Sequence, residues 1–233
     1  MFKPSSNDVQ RKMNMSKIAG ERREQLKTAL IDAAEAIIAK DGLAALRARD
    51  LAAAVGCALG AIYNAFPDLD AIVIAVNMRT LALLDRNLTE AADRKSIKGG
   101  VNSQDPDLAQ LIGLALAYLE FAAKHGPRWR ALFEHRLPDG QAVPVRYMAE
   151  QNRIFLFVEE PLRAIRPDLT ATELTLLARV LFSAVHGIVS LGLEEKLGEI
   201  QPLRLREQTA VVVAALARGL RDPDTQITDH KGR

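Results

Sequence analysis

Apolar residues in this chain recur every three or four positions and show no convincing two-residue alternation, so the pattern predicts helices. Between Glu21 and Lys40, the residues Leu26, Leu30, Ala33, Ala34, Ile37 and Ile38 share one side of a helical repeat. Asp41-Gly42 ends that helix, with the glycine able to take a left-handed conformation. A short second helix is expected from about Arg47 to Val55. Gly56 breaks it, and a third short helix follows from about Ala58 to Ala65. Pro67 suits the start of a long fourth helix that runs to about Glu90 and carries Leu69, Ile72, Val73, Val76, Leu83 and Leu84 on one side. Asp93 to Asp107, rich in Lys, Ser, Gly, Asn and Asp, is the one obvious loop.

The second half also reads as helix. Leu108 to Lys124 is apolar on nearly every side, which places it at the centre of a bundle. After the Gly126-Pro127 break come a short helix around Trp129 to His135 and another from about Val143, closing near Pro161. Two long helices finish the chain, from Ala171 to about Leu197 and from Leu203 to about Leu220. The fold class is therefore all-α, with about nine helices. The segments divide into a polar, basic arm over 1–20 expected to be flexible, a helix-turn-helix domain over 21–67, a helical domain over 68–221 and a frayed tail over 222–233. The division lies across the fourth helix, which both domains share.

Two short helices around a glycine turn form a helix-turn-helix, whose second helix can enter the DNA major groove. The net charge of +2 is too small for a protein that coats nucleic acid, so binding has to come from a local patch. Such a patch lies near the N-terminus, where Lys3, Arg11, Lys12, Lys17, Arg22, Arg23 and Lys27 outnumber Asp8, Glu21 and Glu24. The single cysteine, Cys57, allows no intrachain disulfide and fits a reducing compartment. With no secretory h-region and no run judged long enough to span a bilayer, the expected location is cytoplasmic, with no membrane partner.

Residues 21 to 84 resemble the DNA-binding domain of TetR-type transcriptional repressors. The family pattern runs Thr-x-Arg-Asp-Ile-Ala, then Ala-Gly-Val-Ser-x-Gly-Thr-Leu-Tyr-x-His-Phe, then a Lys three residues on. Here Arg47-Ala48-Arg49-Asp50-Leu51-Ala52 precedes Val55-Gly56-Cys57-Ala58-Leu59-Gly60-Ala61-Ile62-Tyr63-Asn64-Ala65-Phe66. The resemblance implies a homodimeric regulator, most simply a repressor, that binds a near-palindromic double-stranded DNA operator and is released by a small effector. Four positions depart from the pattern. Ala58 and Arg47 stand where Ser and Thr often cap the two helices, Ala65 replaces a His, and Leu69 replaces the Lys that reaches a phosphate. Arg47 and Arg49 are placed to compensate, with Arg22 and Arg23 adding phosphate contacts. Within the third helix, Asn64 suits adenine, Ala58 or Leu59 a thymine methyl, and Gly60 a close approach. The family implies a phosphate contact for Tyr63. Ile62 and Phe66 read as core.

Regulators of this class pair their last two helices across a dimer. Leu174, Leu177, Leu181, Val185 and Ile188 form one candidate seam and Thr209, Val212, Val213, Leu216 and Leu220 another, although either serves equally as internal core. Val185-His186-Gly187 resembles the Trp-His-Gly motif of one TetR C-terminal branch. Trp129, Phe133, Met148, Phe155 and His186 are the candidate contacts for an apolar or amphipathic effector. His125, His135, His186 and His230 make no metal-ligand spacing with Cys, Asp or Glu, and no phosphate-binding glycine loop or nucleophile motif appears. No catalytic site, metal or cofactor is expected. The alternative of a helical small-molecule carrier that has lost DNA binding stays open on the sequence.

Overall fold

A chain so rich in Ala, Leu, Arg and Glu favours helix, and the computed structural model bears this out over the residues it describes: 6–93, 105–196, 198 and 200–221. Helix α1 spans Ser6–Asp41, α2 Ala48–Val55, α3 Leu59–Ala65, α4 Leu69–Asp93 and α5 Pro106–Lys124. Then follow α6 (Gly126–Glu134), α7 (Val145–Ile165), α8 (Ala171–Leu193) and α9 (Pro202–Gly219), with a single 3-10 turn at Leu43–Ala45. Most of the expected loop, at 94–104, and the tail at 222–233 lie outside the described residues.

The expected arm over 1–20 is helical from Ser6 onward. Its Gln, Arg, Lys, Met and Ala residues are good helix formers. A helix already nucleated over an apolar stripe extends cheaply into a segment lacking a stripe of its own. Helix α7 likewise continues through Pro161 to Ile165. The proline removes one intrahelical hydrogen bond, but Pro161, Leu162 and Ile165 are all buried, and that burial holds the last turn together.

The chain divides into two compact units, one of residues 1–80 and 127–142, the other of 81–126 and 143–233. The division falls inside α4. In the first unit, Leu30, Ala34 and Ile38 of α1 pack with Leu51 and Ala52 of α2, Ile62 and Ala65 of α3, and Ile72, Val73 and Val76 of α4. Helix α6 also belongs here, contrary to the expected domain ranges. Ala131 is fully buried in this core, and its carbonyl accepts from the buried Asn77 amide at 3.2 Å.

In the second unit α5 is central, with Leu111, Ile112, Leu116, Leu119 and Phe121 among its buried residues. It packs on α7, α8 and α9. Asp105 caps its start by accepting from the Asp107 and Leu108 amides, and Arg221 pairs with the same carboxylate. Thr170 and Glu173 form a reciprocal capping box at the start of α8.

Helix α8 corrects the expectation that no run is long enough to cross a bilayer. It is the one described helix that meets that length and composition, 23 residues long with a mean hydropathy of 1.8 over its most apolar 18. It is apolar on two faces. Leu174, Ala178, Leu181, Val185 and Val189 face the core, while Leu176, Val180 and Leu191 are exposed.

Candidate nucleic-acid interface and effector cavity

Gly56 ends α2 in the left-handed region at φ 70°, ψ 36°. The Cys57 amide bonds to the Ala52 carbonyl (3.0 Å) and the Gly56 amide to the Ala53 carbonyl (3.3 Å). This is the glycine-terminated stop that lets the chain turn sharply. It launches α3 with Ile62 fully buried and Ala65 nearly so, against Leu51 and Ala52. The opposite face of α3 is therefore set by helical geometry. Ala58, Leu59, Gly60, Tyr63 and Asn64 are all exposed, with Tyr63 at 51% and Leu59 at 42%. Cys57 is half-buried against the core and behaves as a small hydrophobe.

Neither short helix has a side-chain cap, as the substitutions at Arg47 and Ala58 imply. Arg47 folds back instead, donating to the carbonyls of Ala44 (2.6 Å) and Leu46 (3.0 Å). One of its guanidinium nitrogens is thus committed to the backbone, leaving a fork whose other donors can reach a phosphate. Arg49, Arg22 and Arg23 are exposed, and Lys27 pairs with Glu24 at 2.8 Å. Lys3 lies outside the described residues.

Behind this face, Glu35 of α1 pairs with Arg79 of α4 (2.8 Å) and with Arg128 of α6 (2.8 Å), and Arg79 also reaches Asp32 (2.6 Å). The hydrogen bond Arg79 donates to Glu35, then that to Asp32, raises its pKa further above the ordinary value. His135 at the end of α6 lies 2.9 Å from Asp70 at the start of α4. The sequence reading assigns Arg79, Arg128 and Glu35 no role. Charges this far apart in the chain carry no local signal of pairing.

The second unit holds a cavity of about 40 Å³. Leu111, Leu114, Ala115 and Tyr118 of α5 form one wall, Ile154, Phe157 and Val158 of α7 another. Leu181, Phe182 and Val185 of α8, Leu88 of α4 and Val213 of α9 close it. The Tyr118 hydroxyl is 2.8 Å from His186 Nδ1. Phe182 stacks on His186 (5.8 Å, 20°) and meets Tyr118 and Phe155 edge-on. Burial, which favours the neutral ring, pushes the His186 imidazole below its ordinary pKa, partly offset by the charge of Glu194.

The five residues expected to touch an effector are dispersed, and none of them lines this cavity. Phe155 and His186 stand one ring behind its wall, in contact with Phe182. Met148 is exposed on α7. Trp129 and Phe133 sit on α6 in the first unit, edge to face at 5.7 Å, Trp129 buried and Phe133 exposed. The expected seams are divided too. Leu174, Leu181, Val185, Thr209 and Val213 are core, whereas Val212 and Leu216 are exposed beside Val211 on α9.

Residues 30–76 match the family model for bacterial regulatory proteins of the tetR family. Residues 111–216 match that for a tetracyclin repressor-like C-terminal domain. No curated protein sequence matches the chain. Among solved structures, a protein of unknown function from Rhodococcus sp. RHA1 is similar at a TM-score of 0.64 and 21% identity, covering 84% of this chain and 96% of that one. A TetR-family transcriptional regulator from Bordetella parapertussis 12822 gives 0.55 and 19%, covering 82% and 94%. The TetR-family regulator PfmR from Thermus thermophilus gives 0.53 and 16%, covering 80% and 97%. At these identities the likeness is one of fold.

Proposed function

The chain belongs to the TetR family of transcriptional regulators, which are DNA-binding transcription factors and not enzymes, and from that premise we propose that it is a homodimeric repressor released by a small effector. Proteins of this family bind DNA operators and small effectors, typically as dimers. The carrier alternative is not favoured by a match that covers both domains. The observation that carries the reading is the outward face of α3, where Ala58, Leu59, Gly60, Tyr63 and Asn64 are exposed over a buried Ile62 and Ala65.

In this reading α3 enters the major groove. Asn64 bonds to adenine, and Ala58 or Leu59 meets a thymine methyl. Tyr63, Arg47, Arg49, Arg22 and Arg23 hold phosphates. A helix of seven residues reads few base pairs, so a two-fold dimer doubles the site and requires a near-palindromic operator. The exposed apolar residues of α8 and α9, Leu176, Val180 and Leu191 with Val211, Val212 and Leu216, supply the subunit interface. The cavity of the second unit is the effector site, with Phe155 and His186 supporting its wall. Leu88 of α4 lines that cavity, while Ile72 and Val76 of the same helix lie in the core beneath α3. An effector that reshapes the cavity acts by favouring a dimer whose recognition helices no longer match the groove.

Binding to the DNA just upstream of the protein's own coding region, across a salt series, tests this. Tight binding to one near-palindromic segment, weakening steeply with salt, is expected. A folded, ligand-free dimer that binds no DNA at low salt defeats the proposal.

A further inference from the structure

We propose that the cavity among α4, α5, α7, α8 and α9 takes an uncharged, largely apolar ligand about the size of one ring, carrying at most a lone hydroxyl, and that it excludes ionised amphiphiles. This rests on the reading of that cavity as the effector site. Of the described residues that line it, Tyr118 alone carries a polar side-chain atom, and none carries a charge at neutral pH. Five helices line the space with apolar side chains, so a ligand held there gives up water wherever it touches them. An ionised head group would lose its hydration there with no counter-charge to replace it.

The groups nearest the wall reinforce this. His186, reached through the Tyr118 hydroxyl, is pushed toward its neutral form by its burial among rings. Arg179 lies over the Phe155 ring at 5.4 Å and donates to Asn152, so its charge sits on the exposed outer side of the aromatic cluster. A ligand hydroxyl can exchange hydrogen bonds with Tyr118, because a phenol is both donor and acceptor. Size points the same way. A space of about 40 Å³ is far below the roughly 300–1,000 Å³ of ordinary ligand sites. A guest must therefore be small.

The test is calorimetric titration of the full chain at pH 7.5 with two size-matched pairs, each a neutral compound against an ion: 4-isopropenyltoluene against 4-methylbenzoate, and 4-methylbenzyl alcohol against 4-methylbenzylammonium. The two neutral compounds are expected to bind, and the two ions to bind at least tenfold more weakly. Ala115→Phe, which puts a ring into the cavity, should weaken the neutral compounds at least tenfold. Val213→Leu fills the space more gently and should act in the same direction if Ala115→Phe does not fold. Ions binding within tenfold of the neutral compounds, with binding still lost on filling, overturn the charge rule and leave the effector site standing. Binding of the neutral compounds unchanged in a folded, filled variant overturns the effector site itself. No binding by either neutral compound overturns the proposal.

Discussion

Asn64 is the residue on which base reading by α3 rests most directly. It and Tyr63 are the polar side chains of a helix otherwise built from Leu, Gly, Ala and Ile, and both are exposed. Asn64→Ala should lower operator affinity by about 1–3 kcal/mol, the worth of a bidentate base contact, and relax the preference at one base pair per half-site. Tyr63→Phe, by contrast, should weaken all sequences alike and leave the preference intact. Fluorescence anisotropy on the operator and on single-base variants separates the two. His186 makes a different prediction. Its folded pKa lies below the ordinary imidazole value of about 6.5, because burial disfavours the charged ring. Below that pH the unfolded chain binds the proton more readily than the folded one, so His186 costs stability as pH falls through about 6.5 and costs nothing well above it. Denaturation midpoints at pH 8 and pH 5.5 should therefore differ less in His186→Gln than in the native chain. An equal or larger acid loss in the variant removes this account.

Helices α2 and α3 show how an element can persist without its customary local signals. Ala58 has the extended backbone of a good N-cap, φ −69° and ψ 146°, but no side chain to accept the free amides of α3. Packing of Ile62 and Ala65 holds the helix instead. Ala58→Ser should restore the missing bond and stabilise the protein by about 1 kcal/mol, read as a higher urea midpoint at unchanged slope. The elements of this chain were legible wherever a helix has one apolar face, as in α1 from Glu21, in α4 and in α9. Apolar composition all round marked α5 as central, and the structure places it there. What the sequence hid depends on contacts distant in the chain. The polar start of α1 is propagated from a nucleus further on. The membership of α6 in the first unit is fixed by Ala131, Asn77 and the Glu35–Arg128 pair, separated by more than fifty residues in the chain. The cavity wall was missed for a related reason. Leu114, Ala115, Ile154 and Val185 resemble any core residue, while the rare aromatics that draw the eye, Trp129 and Phe133, belong to the other unit.

At the scale of the whole molecule, α8 and α9 of the second unit leave apolar side chains uncovered. Leu176 (62%), Val180 (58%), Val211 (52%) and Val212 (38%) are exposed. They lie on α8 and α9, which pack against each other. The same helices send Leu174, Leu181, Val185, Thr209 and Val213 inward, so each carries two apolar faces with separate tasks. The proposed dimer accounts for the length and hydropathy of α8: a helix buried on one side by its own chain and on the other by a second copy would be apolar nearly all round. The two faces can be tested separately. Val180→Glu with Val212→Glu places like charges on the outer face of each subunit and leaves the inner core untouched. The double variant should keep its helical circular dichroism and cooperative unfolding, sediment as a monomer, and lose operator affinity at least a hundredfold, because one α3 then acts without its two-fold mate. A double variant that remains dimeric would put the interface elsewhere on the molecule. One that becomes monomeric yet holds the operator as tightly as before would detach DNA recognition from the dimer altogether.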